Sequence, residues 1–139
     1  MINLLIEKTP ARWAKYVVDH FDEFLLDHAA CEKKAAALAM SFIAKYPDRH
    51  EIINAMVNLS IEELKHFQEV FQIIQKKGLS LPNKDYKDIY VNQIIKENRH
   101  GRQERLLDRL VTSSLIEARE CERFFLLADQ LSDPFFKKF

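Results

Sequence analysis

Two glycines and four prolines in 139 residues constrain this fold more than any other feature of the chain. Relative to alanine, glycine costs a helix interior about 1 kcal/mol and proline about 3 kcal/mol. A chain that nearly omits both therefore favours long helices with short connections. There is no sustained two-residue alternation, and no Asn-Gly or Asp-Gly dipeptide to mark a β-hairpin. A hydrophobic content of 47% suffices for one core. The expectation is an all-α chain with residues 1–139 forming a single domain.

The helix limits can be read from their end signals. Thr9 before Pro10 predicts a start, with a hydroxyl cap and then proline where its missing N–H costs nothing. Helical pattern continues to about Tyr46, with a break near Asp22, and Pro47 ends it. Asp48 and Glu51 have capping-box spacing and predict a second helix running to Lys77 and closing on Gly78. Leu79 to Asn83 reads as a loop, Lys84 to Glu97 as a shorter helix, Asn98 to Gly101 as a turn, and Arg102 to Leu131 as a long helix. Asp133 and Pro134 repeat the start signal, and Phe135, Phe136 and Phe139 begin an apolar face. Five residues cannot sustain a helix, so the sequence predicts a further helix continuing past Phe139.

The 21 basic and 21 acidic residues balance, so any polyanion-binding surface must be a local patch. No apolar stretch is long enough to span a membrane. The N-terminal segment lacks the length and basic flank of a signal peptide. Cys31 and Cys121 form no disulfide framework, fit a reducing, cytoplasmic compartment, and are read as packing residues.

Three carboxylates fall on apolar stripes. Leu25, Ala29, Ala36, Ala39 and Ile43 share a helical face that also includes Glu32 and His28. Ile52, Met56, Leu59, Val70 and Ile73 share one with Glu63 and His66. Leu110, Ser114, Cys121, Phe124, Ala128 and Leu131 share one with Glu117. Glu62, Glu69, Glu120 and Glu122 face away from these stripes and read as solvated.

An unpaired buried carboxylate is unfavourable, and converging ones repel unless a cation lies between them. Oxygen donors with one imidazole suit iron or manganese. Glu63-x-x-His66 puts both side chains on one helical face. In ferritin-like dimetal bundles, two helices give one Glu each and two give Glu-x-x-His. A lone Glu-x-x-His is nevertheless common on charged helices, and a lone Glu often reaches water from the edge of a stripe. Both a metal site and edge carboxylates remain open on periodicity alone. His28 reads as a core residue or a hydrogen-bonding partner of the ligands rather than a ligand.

Three blocks carry a family resemblance: Leu26-Asp27-His28-Ala29-Ala30-Cys31-Glu32 continuing to Ala36, Glu62-Glu63-Leu64-Lys65-His66-Phe67, and Leu115-Ile116-Glu117-Ala118-Arg119 followed by Cys121-Glu122-Arg123-Phe124. Together they resemble the MiaE-type tRNA hydroxylases over nearly the whole chain. The resemblance implies a ferritin-like four-helix bundle with two non-haem iron ions. It implies a monooxygenase that takes dioxygen as co-substrate and electrons from an external donor of the reductase or ferredoxin type. The implied reaction hydroxylates the isopentenyl chain of 2-methylthio-isopentenyl-adenosine beside the tRNA anticodon.

By the same resemblance, Glu32 and Glu117 are expected as carboxylate ligands, Glu63 as a bridging carboxylate and His66 as an imidazole ligand. The family's second Glu-x-x-His has no counterpart here, so the fourth core helix is expected beyond residue 139. Glu32 and Glu63 are 31 positions apart, and repeating that antiparallel spacing from Glu117 puts the next glutamate at about position 148.

A tRNA partner needs a basic surface. Arg99, Arg102, Arg105 and Arg109, with His100, Lys84 and Lys87 nearby, supply candidates that Glu104 and Asp108 dilute. A solvated helix face is the alternative reading of the same residues. Two other functions use parts of this pattern: a ferritin-like protein that oxidises and stores iron, and a metal-free helical interaction module.

Overall fold

A computed structural model describes residues 5–85 and 87–131; Asp133, Pro134 and the phenylalanines after them lie outside the described residues. Five helices and no strand occur among the described residues: α1 (Ala11–Asp19), α2 (Phe21–Lys45), α3 (His50–Lys76), α4 (Ile89–Lys96) and α5 (Arg102–Gln130). Among these residues, no helix is long and apolar enough to cross a membrane. Two compact units result, one of residues 21–86 and one of residues 1–20 with 87–139.

The first unit is an antiparallel hairpin of α2 and α3. Lys77, just past the end of α3, pairs at 2.9 Å with Asp22 in the first turn of α2. At the closed end, Pro47 stops α2, and the Arg49 N–H bonds the Tyr46 carbonyl at 3.0 Å. The face of α2 toward α3 is built from Ala29, Ala36 and Ala39, with Leu25 and Phe42 at either end. These small side chains let the helices approach closely, and Val70, Ile73 and Ile74 of α3 fill the remaining volume. Ser60 is small and buried; its hydroxyl donates to the Ala36 carbonyl at 3.2 Å.

Helix α3 ends where the sequence predicts. Gly78 has φ +71°, a left-handed conformation that costs glycine little. The Leu79 N–H bonds the Ile74 carbonyl at 3.0 Å and the Gly78 N–H bonds Gln75 at 2.9 Å, which together satisfy carbonyls left over at a helix C-terminus. The start of α3 differs from expectation: the cap position is Arg49, without a side-chain cap bond.

The second unit packs α1 and α4 against α5. The break expected near Asp22 falls at His20, between α1 and α2. The His20 Nδ1 bonds the Tyr16 carbonyl at 2.9 Å, and its ring stacks on Tyr16 with centroids 4.1 Å apart. Thr9 does not cap α1. Pro10 occupies that position, and the Thr9 hydroxyl and N–H instead donate to Glu122 of α5, at 2.8 and 3.1 Å. Arg119 donates to the same carboxylate at 2.6 Å and to the Thr9 hydroxyl at 3.2 Å, and the Arg123 guanidinium lies 5.3 Å from the Trp13 ring centroid. Glu122 is thus a bonded anchor between α1 and α5, not the solvated residue its position off the stripe predicts.

Helix α4 is shorter than expected, beginning at Ile89 after Asp88, whose carboxylate accepts from the Val91 N–H at 2.9 Å. The buried residues of α5 are Thr112 and Leu127, not the predicted stripe. Ser114, Glu117 and Cys121 are exposed and Leu110, Phe124 and Ala128 half-buried. Two polar contacts tie α5 within its own unit, Arg119 to the Thr9 hydroxyl at 3.2 Å and the Thr112 hydroxyl to Asn98 at 3.0 Å.

Candidate metal centre

The α2–α3 hairpin brings Glu32, Glu63 and His66 together. One donor atom from each lies within 4.8 Å of the others. His66 Nδ1 is 3.7 Å from Glu32 Oε2 and 3.7 Å from Glu63 Oε2. The Glu32 and Glu63 side chains are each 9% exposed, whereas the His66 side chain is 48% exposed. The cluster is therefore walled by the hairpin on the carboxylate side and open on the imidazole side.

The placement follows from helix geometry. Glu63 and His66, three residues apart, emerge from one face of α3 a turn from each other. Glu32 meets them because α2 runs antiparallel, and the alanines above and below it leave room for a carboxylate between the helices.

His28, one turn before Glu32, is buried. Its Nε2 lies 3.2 Å from Glu32 Oε1, and its ring stacks on Phe24 with centroids 5.7 Å apart. Burial, with a smaller contribution from the His66 charge, lowers the His28 pKa to about 4. A neutral imidazole with its proton on Nε2 can donate to Glu32 and orient that carboxylate.

Two buried carboxylates at this separation repel, and the chemistry of the set fits a divalent cation with an affinity for oxygen and imidazole donors, such as iron or manganese. Cys31 is half-buried and Cys121 exposed; exposure is a correction to the packing role expected of Cys121. Glu117, expected as a further carboxylate ligand, lies on α5 in the other unit and is exposed.

Of the candidate RNA-contacting residues, Arg99, Arg102 and Arg105 are exposed and Arg109 half-buried. Arg99 is already engaged: its Nε and Nη2 donate to Asp108 at 2.9 and 2.7 Å, and its backbone N–H donates to the same carboxylate at 2.8 Å. These bonds hold the Asp108 carboxyl well below its ordinary value, at about 2. Neither the Arg99–Asp108 fork nor the Thr9–Glu122–Arg119 network is visible as a sequence motif. Only the three-residue spacing of Arg119 and Glu122 hints at a local ion pair.

An all-helical chain with paired core carboxylates and an imidazole one turn on belongs among the ferritin-like proteins. A solved structure described as "Protein 43 with aldehyde deformylating oxygenase activity from Synechococcus" matches with a TM-score of 0.90 and 33% identity, covering 99% of this chain and 68% of that one. The chain matches the family model described as tRNA-(MS[2]IO[6]A)-hydroxylase (MiaE) over residues 1–139, and it belongs to that family.

Two relatives are each named tRNA 2-(methylsulfanyl)-N(6)-isopentenyladenosine(37) hydroxylase. The one from Pseudomonas putida is 35% identical over 125 residues, which cover 90% of this chain and 60% of the relative. The one from Salmonella typhimurium is 26% identical over 182 residues, covering 96% of this chain and 67% of the relative. The chain thus spans about three-fifths of the length of the Pseudomonas protein.

Proposed function

We propose that this chain carries the metal-holding hairpin of a cytoplasmic non-haem di-iron monooxygenase that hydroxylates the isopentenyl side chain of 2-methylthio-isopentenyl-adenosine in tRNA. The observation that carries the reading is the cluster of Glu32, Glu63 and His66 in a chain whose family and relatives are named for this hydroxylation. Glu32, Glu63 and His66 would hold iron. Glu117 joins the ligand set on the family resemblance alone, and the two compact units are read as one ferritin-like domain. When bound, the two iron ions supply the activation of dioxygen, with electrons from an external donor.

The protein's own share of the work is positional. Glu32 and Glu63, buried between α2 and α3, present negative oxygens that neutralise and fix the cations. His28 orients the Glu32 carboxylate through its Nε2. The hairpin shields one side of the site from water and leaves the His66 side for co-substrate and substrate. Arg99, Arg102, Arg105 and Arg109 are the candidates for phosphate contacts to the tRNA.

Analysis of tRNA nucleosides from a strain lacking the gene tests the reading. The hydroxylated nucleoside should disappear and its isopentenyl precursor accumulate, with recovery when the full gene is returned. Unchanged hydroxylation in the deletion strain, with no second hydroxylase present, would sink it. An iron-storage protein would alter cellular iron and leave these nucleosides unaffected.

A further inference from the structure

Among the helices of the described residues, α4 alone has none of its eight residues buried. Val91 and Ile94, three residues apart on one side of the helix, are half-buried. Ile89, Asn92, Gln93 and Lys96 follow one another at positions i, i+3, i+4 and i+7, so they form the opposite face, and all four are exposed. Ile89 is 71% exposed. The helix contains no acidic residue.

Three acidic residues around α4 are turned onto nearby backbone or a nearby arginine. Asp88 accepts from Val91, Asp108 is held by Arg99, and the Glu104 carboxylate packs over Gly101, where an added Cβ would collide with it. Glu97 is the one acidic neighbour left on the α4–α5 turn without such an arrangement among these contacts. Beside it stand Lys96, His100, Arg102 and Arg105, all exposed. The turn is held in shape by the three bonds from Arg99 to Asp108 and by the Thr112 hydroxyl on Asn98.

Two neighbouring amides, a lysine and an isoleucine on a preformed helix face suit unpaired bases. An amide offers both donor and acceptor to a base edge, an isoleucine covers an unstacked base, and a lysine meets the phosphate between. A lipid surface would instead favour a broad apolar face, and here amides occupy its centre.

We propose that the outward face of α4, made by Ile89, Asn92, Gln93 and Lys96, docks the unpaired loop of the substrate RNA, with the α4–α5 turn against the adjoining phosphates. This rests on the reading of tRNA as substrate.

The test uses the full chain and fluorescence anisotropy with two RNAs, an anticodon stem–loop and a fully paired duplex of the same stem. Replacing both amides (Asn92→Ala with Gln93→Ala) should weaken stem–loop binding about tenfold and leave duplex binding unchanged. Alanine favours helix at both positions, so loss of α4 would not explain such a result. Lys96→Gln should weaken both RNAs about threefold and lower the salt dependence by about one phosphate contact.

Wild-type affinity of both variants for the stem–loop, in a protein that still hydroxylates tRNA, would overturn the α4 assignment and leave the function standing. Variants that keep RNA binding but lose binding to anionic phosphatidylserine vesicles would assign the face to a membrane and overturn it too. A wild-type chain that neither binds the stem–loop nor alters tRNA would remove the substrate reading itself.

Discussion

The sharpest consequence of the hairpin geometry is that one charge deletion should help the metal-free chain and weaken its gain from metal. Glu63→Gln keeps the size and much of the hydrogen-bonding capacity of the side chain while deleting one of two buried charges. In the metal-free protein the carboxylates of Glu32 and Glu63 have oxygens within 4.8 Å. Two unit charges at that distance repel by about 1 kcal/mol in water and about 3.5 kcal/mol at an effective dielectric constant of 20. His66, 3.7 Å from each carboxylate, offsets part of this when protonated. Glu63→Gln should therefore stabilise the metal-free chain by about 1–3 kcal/mol, which for a chain of this size is a rise of about 3–4 °C in unfolding temperature per kcal/mol.

A cation should move the difference toward wild type by more than about 1.4 kcal/mol. Wild-type protein at a metal concentration one hundred times its Kd gains about 2.7 kcal/mol by mass action; the variant, short of a charged ligand, should gain less than about half of that. Thermal unfolding in chelator and in manganese(II), which is redox-silent, measures both limbs. A variant that is less stable than wild type in chelator, yet gains as much from manganese, would show that Glu63 is a satisfied structural carboxylate and no metal ligand.

Three further outcomes follow from particular contacts. His66→Ala should lower metal affinity at least about tenfold with unchanged helix content by circular dichroism, because the ring is half outside the packed face; full metal retention by titration would remove His66 from the site. Glu122→Ala leaves the Thr9 hydroxyl and Arg119 without their shared acceptor and should cost about 1–3 kcal/mol, with faster amide exchange in α1; equal exchange in variant and wild type would refute the anchor. Asp108 is held at about 2, below its ordinary 3.8. Its pairing with Arg99 therefore stabilises the α4–α5 turn fully above about pH 4 and is lost as pH falls through about 2; an NMR titration placing the Asp108 midpoint near 4 would contradict the fork.

The sequence revealed those features whose cause is local. Gly78 closes α3 because the left-handed backbone there suits glycine, and that demand is written in one residue. Glu32, Glu63 and His66 were legible because α2 and α3 are consecutive and antiparallel, so the phase of each stripe carries directly into their contact. Helix α5 was not. Its predicted stripe was set by Leu110 and Phe124, with the ambivalent Ser114, Cys121 and Ala128 between. The face actually turned inward bears Thr112 and Arg119, and Arg123 stacks against Trp13. Periodicity counts a threonine or arginine as outward; the partners that hold them, Asn98 for Thr112 and the sequence-distant Thr9 for Arg119, are not written in the stripe. The early start expected for α4 failed for a related reason. Asp85 bonds Lys33 on α2 at 2.9 Å, so that segment is tied to the hairpin, and Asp88 rather than the region of Lys84 provides the cap.

The metal cluster depends on register more than on any one contact. Sliding α3 by one residue moves a side chain about 1.5 Å along the helix and swings it about 100° around the axis, which is enough to turn Glu63 away from Glu32. The hairpin resists that slip at separated points. Asp22 and Lys77 join its open end, Ser60 on the Ala36 carbonyl fixes the depth about one turn from the carboxylates on the side of the Pro47 turn, and Lys33, next to Glu32, holds the chain leaving α3 through Asp85. The alanine face supplies closeness without itself choosing a register, since small side chains leave shallow grooves. The specific bonds supply the choice. The bonds named here that resist the slip all lie within residues 21–86, in the same unit as Glu32, Glu63 and His66.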